Sequence, residues 1–145
     1  MRVPLLAVVI VLSAWLGAAL LVAAVVAPAA FAVLPSRTLA GALVGRVLPV
    51  LFWSAIAIAA MAIPVHRAPR VAMVVSAAVA QLVIAPRIAA VRAAIGGPVD
   101  ALAADDARRV TFGQLHGASV GLLGITMLAA AVALWFAGRS LYPRG

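Results

Sequence analysis

Five polar side chains lie in or against apolar runs where their chemistry would matter: Arg46, Arg87, Gln114, His116 and Ser119. Arg87 follows Pro86 in Ile84-Ala85-Pro86-Arg87-Ile88-Ala89, and the phrase has an earlier copy, Val26-Ala27-Pro28-Ala29-Ala30-Phe31, with alanine in place of the arginine. A proline late in an apolar helix frees a backbone carbonyl, and a guanidinium beside it needs an acceptor or a route to water. A freed carbonyl near Pro28, Gln114, or Asp105 or Asp106 folded back from a loop are candidate acceptors for Arg87. The competing reading is an anchor at headgroup depth, as for Arg92. His116 opens a helical face that continues through Ser119, Val120 and Leu123. An imidazole there can ligate a metal or haem, relay a proton, or hydrogen-bond across a bundle, the last being the simplest. His66 does not complete a metal site with it: the two are expected on opposite sides of a hydrocarbon core of ~30 Å, whereas ligands of one ion approach it to ~2.1 Å.

The usual catalytic arrangements are missing. The chain has no HExxH, no phosphate-binding glycine loop, no Gly-x-Ser-x-Gly elbow and no acid within an apolar run. This opposes a hydrolase and a carboxylate-driven proton pump. Without cysteine there is no disulfide, thiolate metal site or iron–sulfur cluster. No enzymatic activity and no cofactor are expected, with haem or copper on His116 as the alternative.

Composition dictates the elements that must carry these residues. With 68% apolar and 10% charged residues and a mean hydropathy of +1.26, 145 residues could not cover a water-soluble surface. Every cation is an arginine, and the acids are Asp100, Asp105 and Asp106. A net charge of +8 would suggest nucleic acid in a soluble protein, but these arginines stand mostly singly between apolar runs, as headgroup anchors do. The expected partners are therefore the lipid bilayer and a protein partner or second copy, with no nucleic acid.

The predicted fold is an all-α integral membrane four-helix bundle, one domain over 1–145 with spans at about 4–34, 37–63, 71–95 and 110–138. Pro35-Ser36 breaks the first span and caps the second, and Gly96-Gly97-Pro98 stops the third. Asp100 is expected to cap a short polar helix through Arg109, before the fourth span. Pro28, Pro49 and Pro86 are expected kinks, Pro64 to Arg70 a basic turn, and Arg139, Tyr142 and Arg144 an interfacial tail. Arg2 and the apolar run from Leu5 resemble a signal peptide, but the run continues without a polar cleavage region, so a retained span is expected. Trp135 reads as an interface anchor, Trp15 and Trp53 as packing against neighbours or lipid. Arginine counts on the two sides nearly balance; both termini are placed in the cytoplasm, in a bacterial inner membrane.

The twin Ala-Pro phrases suggest two parallel-repeat helical hairpins. The second helix of each half carries glycines four apart, Gly41 and Gly45 before Arg46, and Gly113, Gly117 and Gly121 around His116. Such stripes suit close helix packing. Topology then places Pro28, Arg46, Arg87 and His116 near one membrane face, as a polar corner.

The order Trp15-x-Gly17, Val26-Ala27-Pro28-Ala29-Ala30-Phe31, Ala40-Gly41, Ala85-Pro86 with Arg92, and Phe112-x-x-Leu115-His116-x-x-Ser119 resembles a bacterial uncharacterised membrane family similar to eukaryotic transmembrane protein 205. The resemblance covers roughly residues 5 to 137. It implies four spans and brings no established activity. It is distantly similar to copper-resistance D domains and to haem-binding protoporphyrinogen oxidases, from which this chain departs by having no histidine in its first helix and no lysine. Three functions follow: a non-enzymatic binding or accessory subunit of a larger membrane complex, a His116-centred haem or copper protein, and a transporter of a small anionic or lipidic solute using Arg46 and Arg87.

Overall fold

The computed structural model describes residues 2–63 and 65–141, Arg2 by its backbone alone. Pro64, Tyr142 and Arg144, and the side chain of Arg2, thus lie outside the described residues. Four helices are long and apolar enough to cross a bilayer: α1 (Val3–Val33), α2 (Arg37–Met61), α3 (Arg67–Ile95) and α4 (Ala107–Leu141). Each packs on its neighbours in sequence, and α1 closes the ring against α4. The outward face is apolar, with Ile10 60%, Leu82 64% and Leu128 70% exposed. Such a surface suits a bilayer and not water. The chain is an all-α integral membrane four-helix bundle.

Alanine builds much of the interior. Ala19, Ala40, Ala55, Ala77, Ala130 and Ala133 are fully buried around a few large side chains, Leu12, Phe52 and Met73. Since lipid tails are as apolar as the core, close backbone approach and polar links hold such a bundle together. Two links are buried. Ser76 Oγ and Thr126 Oγ1 share a hydrogen bond of 2.8 Å between α3 and α4, and each hydroxyl is also 2.7–2.8 Å from a carbonyl of its own helix, Ala72 or Leu122. Trp15, 5% exposed, donates its indole N–H from α1 to the Leu51 carbonyl (3.0 Å) and Ser54 Oγ (3.1 Å) of α2. Trp53 and Trp135 are exposed, and the Arg139 guanidinium lies 4.9 Å over the Trp135 ring.

Both Ala-Pro phrases follow one π turn. In α1 this turn is Val22–Val26, closed by the Ala27 N–H on the Val22 carbonyl; in α3 it is Ala80–Ile84, closed by the Ala85 N–H on the Ala80 carbonyl. Proline has no N–H and its ring crowds the carbonyl four residues back, so a widened turn just before it relieves both defects. Pro49, in contrast, sits inside α2 with no such turn. Its missing N–H deprives the Gly45 carbonyl of the ordinary helical partner.

Helix ends follow local chemistry. Ser36 caps α2 by accepting from the Leu39 N–H (3.2 Å), and Gly96, at φ +68°, ends α3 in the left-handed conformation that glycine tolerates. Helix α2 stops at Met61, where Arg70 donates to the Ala59 (2.8 Å) and Ala60 (3.2 Å) carbonyls. Helix α3 starts at Arg67, earlier than the expected 71, because the His66 ring caps it by accepting from the Ala68 N–H (3.4 Å). The His66 ring also stacks on Phe136 at 5.0 Å.

The third loop departs from expectation. Instead of a polar helix capped by Asp100 there is a single 3₁₀ turn, Val99–Ala101, and α4 begins at Ala107. The cap is Asp106, which accepts from the Arg108 N–H (2.9 Å) while its carboxylate holds the Arg108 guanidinium at 2.8 Å. Asp106 is therefore committed to Arg108 and is no partner for Arg87. The side-chain hydrogen bond from Arg108 lowers the Asp106 carboxyl from 3.8 to about 2. A folded-state value below the unfolded one means that the cap's contribution is present above pH 3.8 and is lost as pH falls through about 2. The Arg108 amide resonance should thus titrate with a midpoint near 2, and Asp106→Asn should abolish that titration; a midpoint near 3.8 would show that the pair is not formed.

Candidate functional site

A cleft of about 500 Å³ opens between α2, α3, α4 and the third loop. Its mouth carries Arg37 and Thr38 from the first turn of α2, Asp100 from the loop, and Arg109 from the first turns of α4. Its deeper wall carries Val44, Leu48, Ile88 and Ser119. From Arg37 to Leu48 along α2 is ~16 Å at 1.5 Å per residue, about half of the ~30 Å hydrocarbon core. The cleft thus extends along the N-terminal part of α2 for about half of a bilayer's hydrophobic thickness.

Arg92 crosses its centre. An added Cβ at Gly41 would lie 3.0 Å from one terminal nitrogen of its guanidinium, and one at Gly45 would lie 4.0 Å from the other. On its other side the guanidinium carbon stands 5.3 Å from the centre of the Phe112 ring, whose plane is within 7° of the His116 ring at 6.2 Å. The sequence Gly41–Arg92–Phe112–His116 is thus a row of contacts from α2 through α3 to α4. A guanidinium over an aromatic face keeps its edge N–H groups free for an acceptor. Among the described residues Arg92 has no carboxylate partner and no hydrogen-bond acceptor. Arg109 donates to the Leu102 carbonyl (2.7 Å), and Arg37 stands 4.0 Å from Asp100.

Of the residues singled out from sequence, His116 and Ser119 line this cleft, while Arg46, Arg87 and Gln114 do not. All three are exposed and turned elsewhere. At 100° per residue, Arg46 lies about 140° round α2 from Gly41, Arg87 about 140° round α3 from Arg92, and Gln114 about 160° round α4 from His116. Helical phase separates them from the cleft. Arg37, Arg92, Asp100, Arg109 and Phe112 carry the polar site in their place. The signals for two of them were local, the Phe112–His116 spacing of four and the Gly41–Gly45 notch, but their meeting at Arg92 needs the helix order.

The glycines divide. Gly41 and Gly45 make room for a side chain, and a Cβ at Gly113, Gly117 or Gly121 meets nothing within 4 Å, so none of the five packs helix on helix within this chain. The two halves also differ at this point: Arg92 stands six residues after Pro86, and Leu34 six after Pro28. Gly41→Ala is expected to leave thermal stability nearly unchanged, because the guanidinium end can shift, while moving Arg92 off Phe112. A lost upfield ring-current shift of the Arg92 side-chain protons would report it. Gly121→Ala should leave that signal intact, and equal behaviour of the two variants would contradict the notch.

Among the described residues no three His, Cys, Asp or Glu side chains gather as a metal cluster. No curated protein and no solved structure matches the chain. A family profile matches residues 10–96, from the second turn of α1 to the glycine that ends α3. That stretch holds Gly41, Gly45 and Arg92 and stops before Phe112 and His116. The chain belongs to this family, DUF4149, a domain of unknown function.

Proposed function

We propose that this protein is a non-enzymatic membrane protein that binds an anionic amphiphile in the cleft around Arg92, acting as a binding or accessory subunit. The observation that carries the reading is the Arg92 guanidinium, seated on Phe112 in the Gly41–Gly45 notch with its donors unclaimed. Arg37 and Arg109 at the mouth, and the positive ends of α2 and α4, add to the attraction for an anion. The apolar lower wall accepts a hydrocarbon tail, and a volume of about 500 Å³ falls in the usual range for small-molecule sites.

The transport alternative loses its named residues, since Arg46 and Arg87 lie off the cleft. A cleft extending for about half of a bilayer's hydrophobic thickness also favours holding a ligand over passing it across, which requires alternating access around a midplane site. The haem or copper alternative rests on His116 alone. The likeness to the family of transmembrane protein 205 brings no activity with it.

Native mass spectrometry of the purified protein, titrated with phosphatidylglycerol and with phosphatidylcholine of matched chains, tests the reading. One retained phosphatidylglycerol per chain is expected, with phosphatidylcholine retained at least about tenfold less, the loss of one charge-assisted contact. Equal retention of the two overturns it.

A further inference from the structure

Resting on the proposed binding of an anionic amphiphile, we infer that the cleft selects a phosphate monoester headgroup over a phosphate diester. Charge is the first argument. The cleft is lined by three guanidinium groups, Arg37, Arg92 and Arg109, and one carboxylate, Asp100, which together give a formal balance of +2. A phosphate monoester carries about −1.5 to −2 near pH 7 and presents three terminal oxygens. A diester carries one negative charge and two such oxygens, so it matches fewer of the cleft's cations and N–H donors.

Donor supply is the second argument. Arginine has five N–H donors in a planar fork. None of those of Arg92 is used within the described residues, and Arg109 gives one Nη1 to Leu102. Arg37, at 4.0 Å from Asp100, is beyond hydrogen-bond range of it and remains available. Two forks from different helices, one of them over an aromatic ring, suit a tetrahedral group with three acceptors better than a planar carboxylate, which one fork satisfies. Beside the Arg92 fork the His116 ring, 6.2 Å from the Phe112 ring, is a further polar group lining the cleft.

The test is competition on the wild-type protein in nanodiscs of phosphatidylcholine. Phosphatidic acid and phosphatidylglycerol of identical chains are each added at a few per cent, and retention is read by native mass spectrometry. Phosphatidic acid is expected to be retained about tenfold better, as one extra charge-assisted contact predicts. Inorganic phosphate serves as a further arm: little competition at millimolar concentration assigns the monoester to a lipid, and full displacement assigns it to a soluble phosphate. Equal retention of the two lipids overturns the selectivity and leaves anion binding standing. Retention of neither overturns anion binding itself. In Arg92→Gln the monoester preference should fall toward one, while Arg46→Gln, outside the cleft, should keep it; a preference that survives Arg92→Gln also contradicts the inference.

Discussion

Arg92→Gln is expected to weaken retention of an anionic amphiphile by about 10- to 100-fold, the range that follows from removing a charged donor pair worth about 1.5–3 kcal/mol. Glutamine keeps comparable reach and polarity but loses both the charge and the fork, so folding is little disturbed. The fold does not depend on the guanidinium, which is exposed and has no protein acceptor among the described residues. Arg92→Lys separates charge from geometry. It keeps the cation but replaces the planar fork over Phe112 by a compact ammonium, and an intermediate loss is expected. The measurement is retention of phosphatidylglycerol by native mass spectrometry, with thermal unfolding in detergent as the control for folding. Unchanged retention in Arg92→Gln would place the anion elsewhere.

Trp15→Ala should produce the largest loss of stability of any single substitution considered, about 2 kcal/mol or more. In water, truncating a buried tryptophan costs about 3–5 kcal/mol. Within a bilayer part of that cost disappears, because the unfolded reference is solvated by lipid tails as apolar as the core. What remains is the cavity beside Leu12 and Phe52 and the loss of dispersion contacts. Trp15→Phe isolates the hydrogen bond. Since Ser54 Oγ already donates to the Leu51 carbonyl at 3.0 Å, the acceptor is not orphaned when the indole is removed. The expected cost is about 0.6 kcal/mol, typical of interhelical hydrogen bonds in membranes. Unfolding in mixed micelles with increasing dodecyl sulfate compares the two, and a phenylalanine variant as unstable as the alanine variant would refute this division.

Much of the fold was legible because its determinants are local. Apolar runs between arginines mark the spans, and Ser36 and Gly96 mark ends through chemistry confined to one turn. The third loop misled because Asp100 and Asp106 are equal as capping residues in sequence, and only the adjoining Arg108 gives Asp106 the stronger contact. The helical phase of the site was not legible in the sequence. His116 and Ser119 emerged because Phe112, His116 and Ser119 share one face of one helix. Arg92 was taken for a headgroup anchor because its partners, Gly41 on α2 and Phe112 on α4, are about fifty and twenty residues distant. Which side of α3 faces the cleft depends on the ring of helices, which no single helix encodes. The twin Ala-Pro phrases mark π turns in corresponding helices, and the difference between the halves that matters lies six residues further on, at Arg92 against Leu34.

The central claim is that an anionic amphiphile lies in the cleft with its charge at Arg92 and its tail toward Leu48. A density map of the protein in nanodiscs containing anionic lipid tests this most directly. The account predicts elongated density whose head touches Arg92 and Arg109 and whose tail runs past Ile88 toward Ser119. A macrocycle or ion on His116, or a cleft with no lipid density in an anionic bilayer, would contradict it.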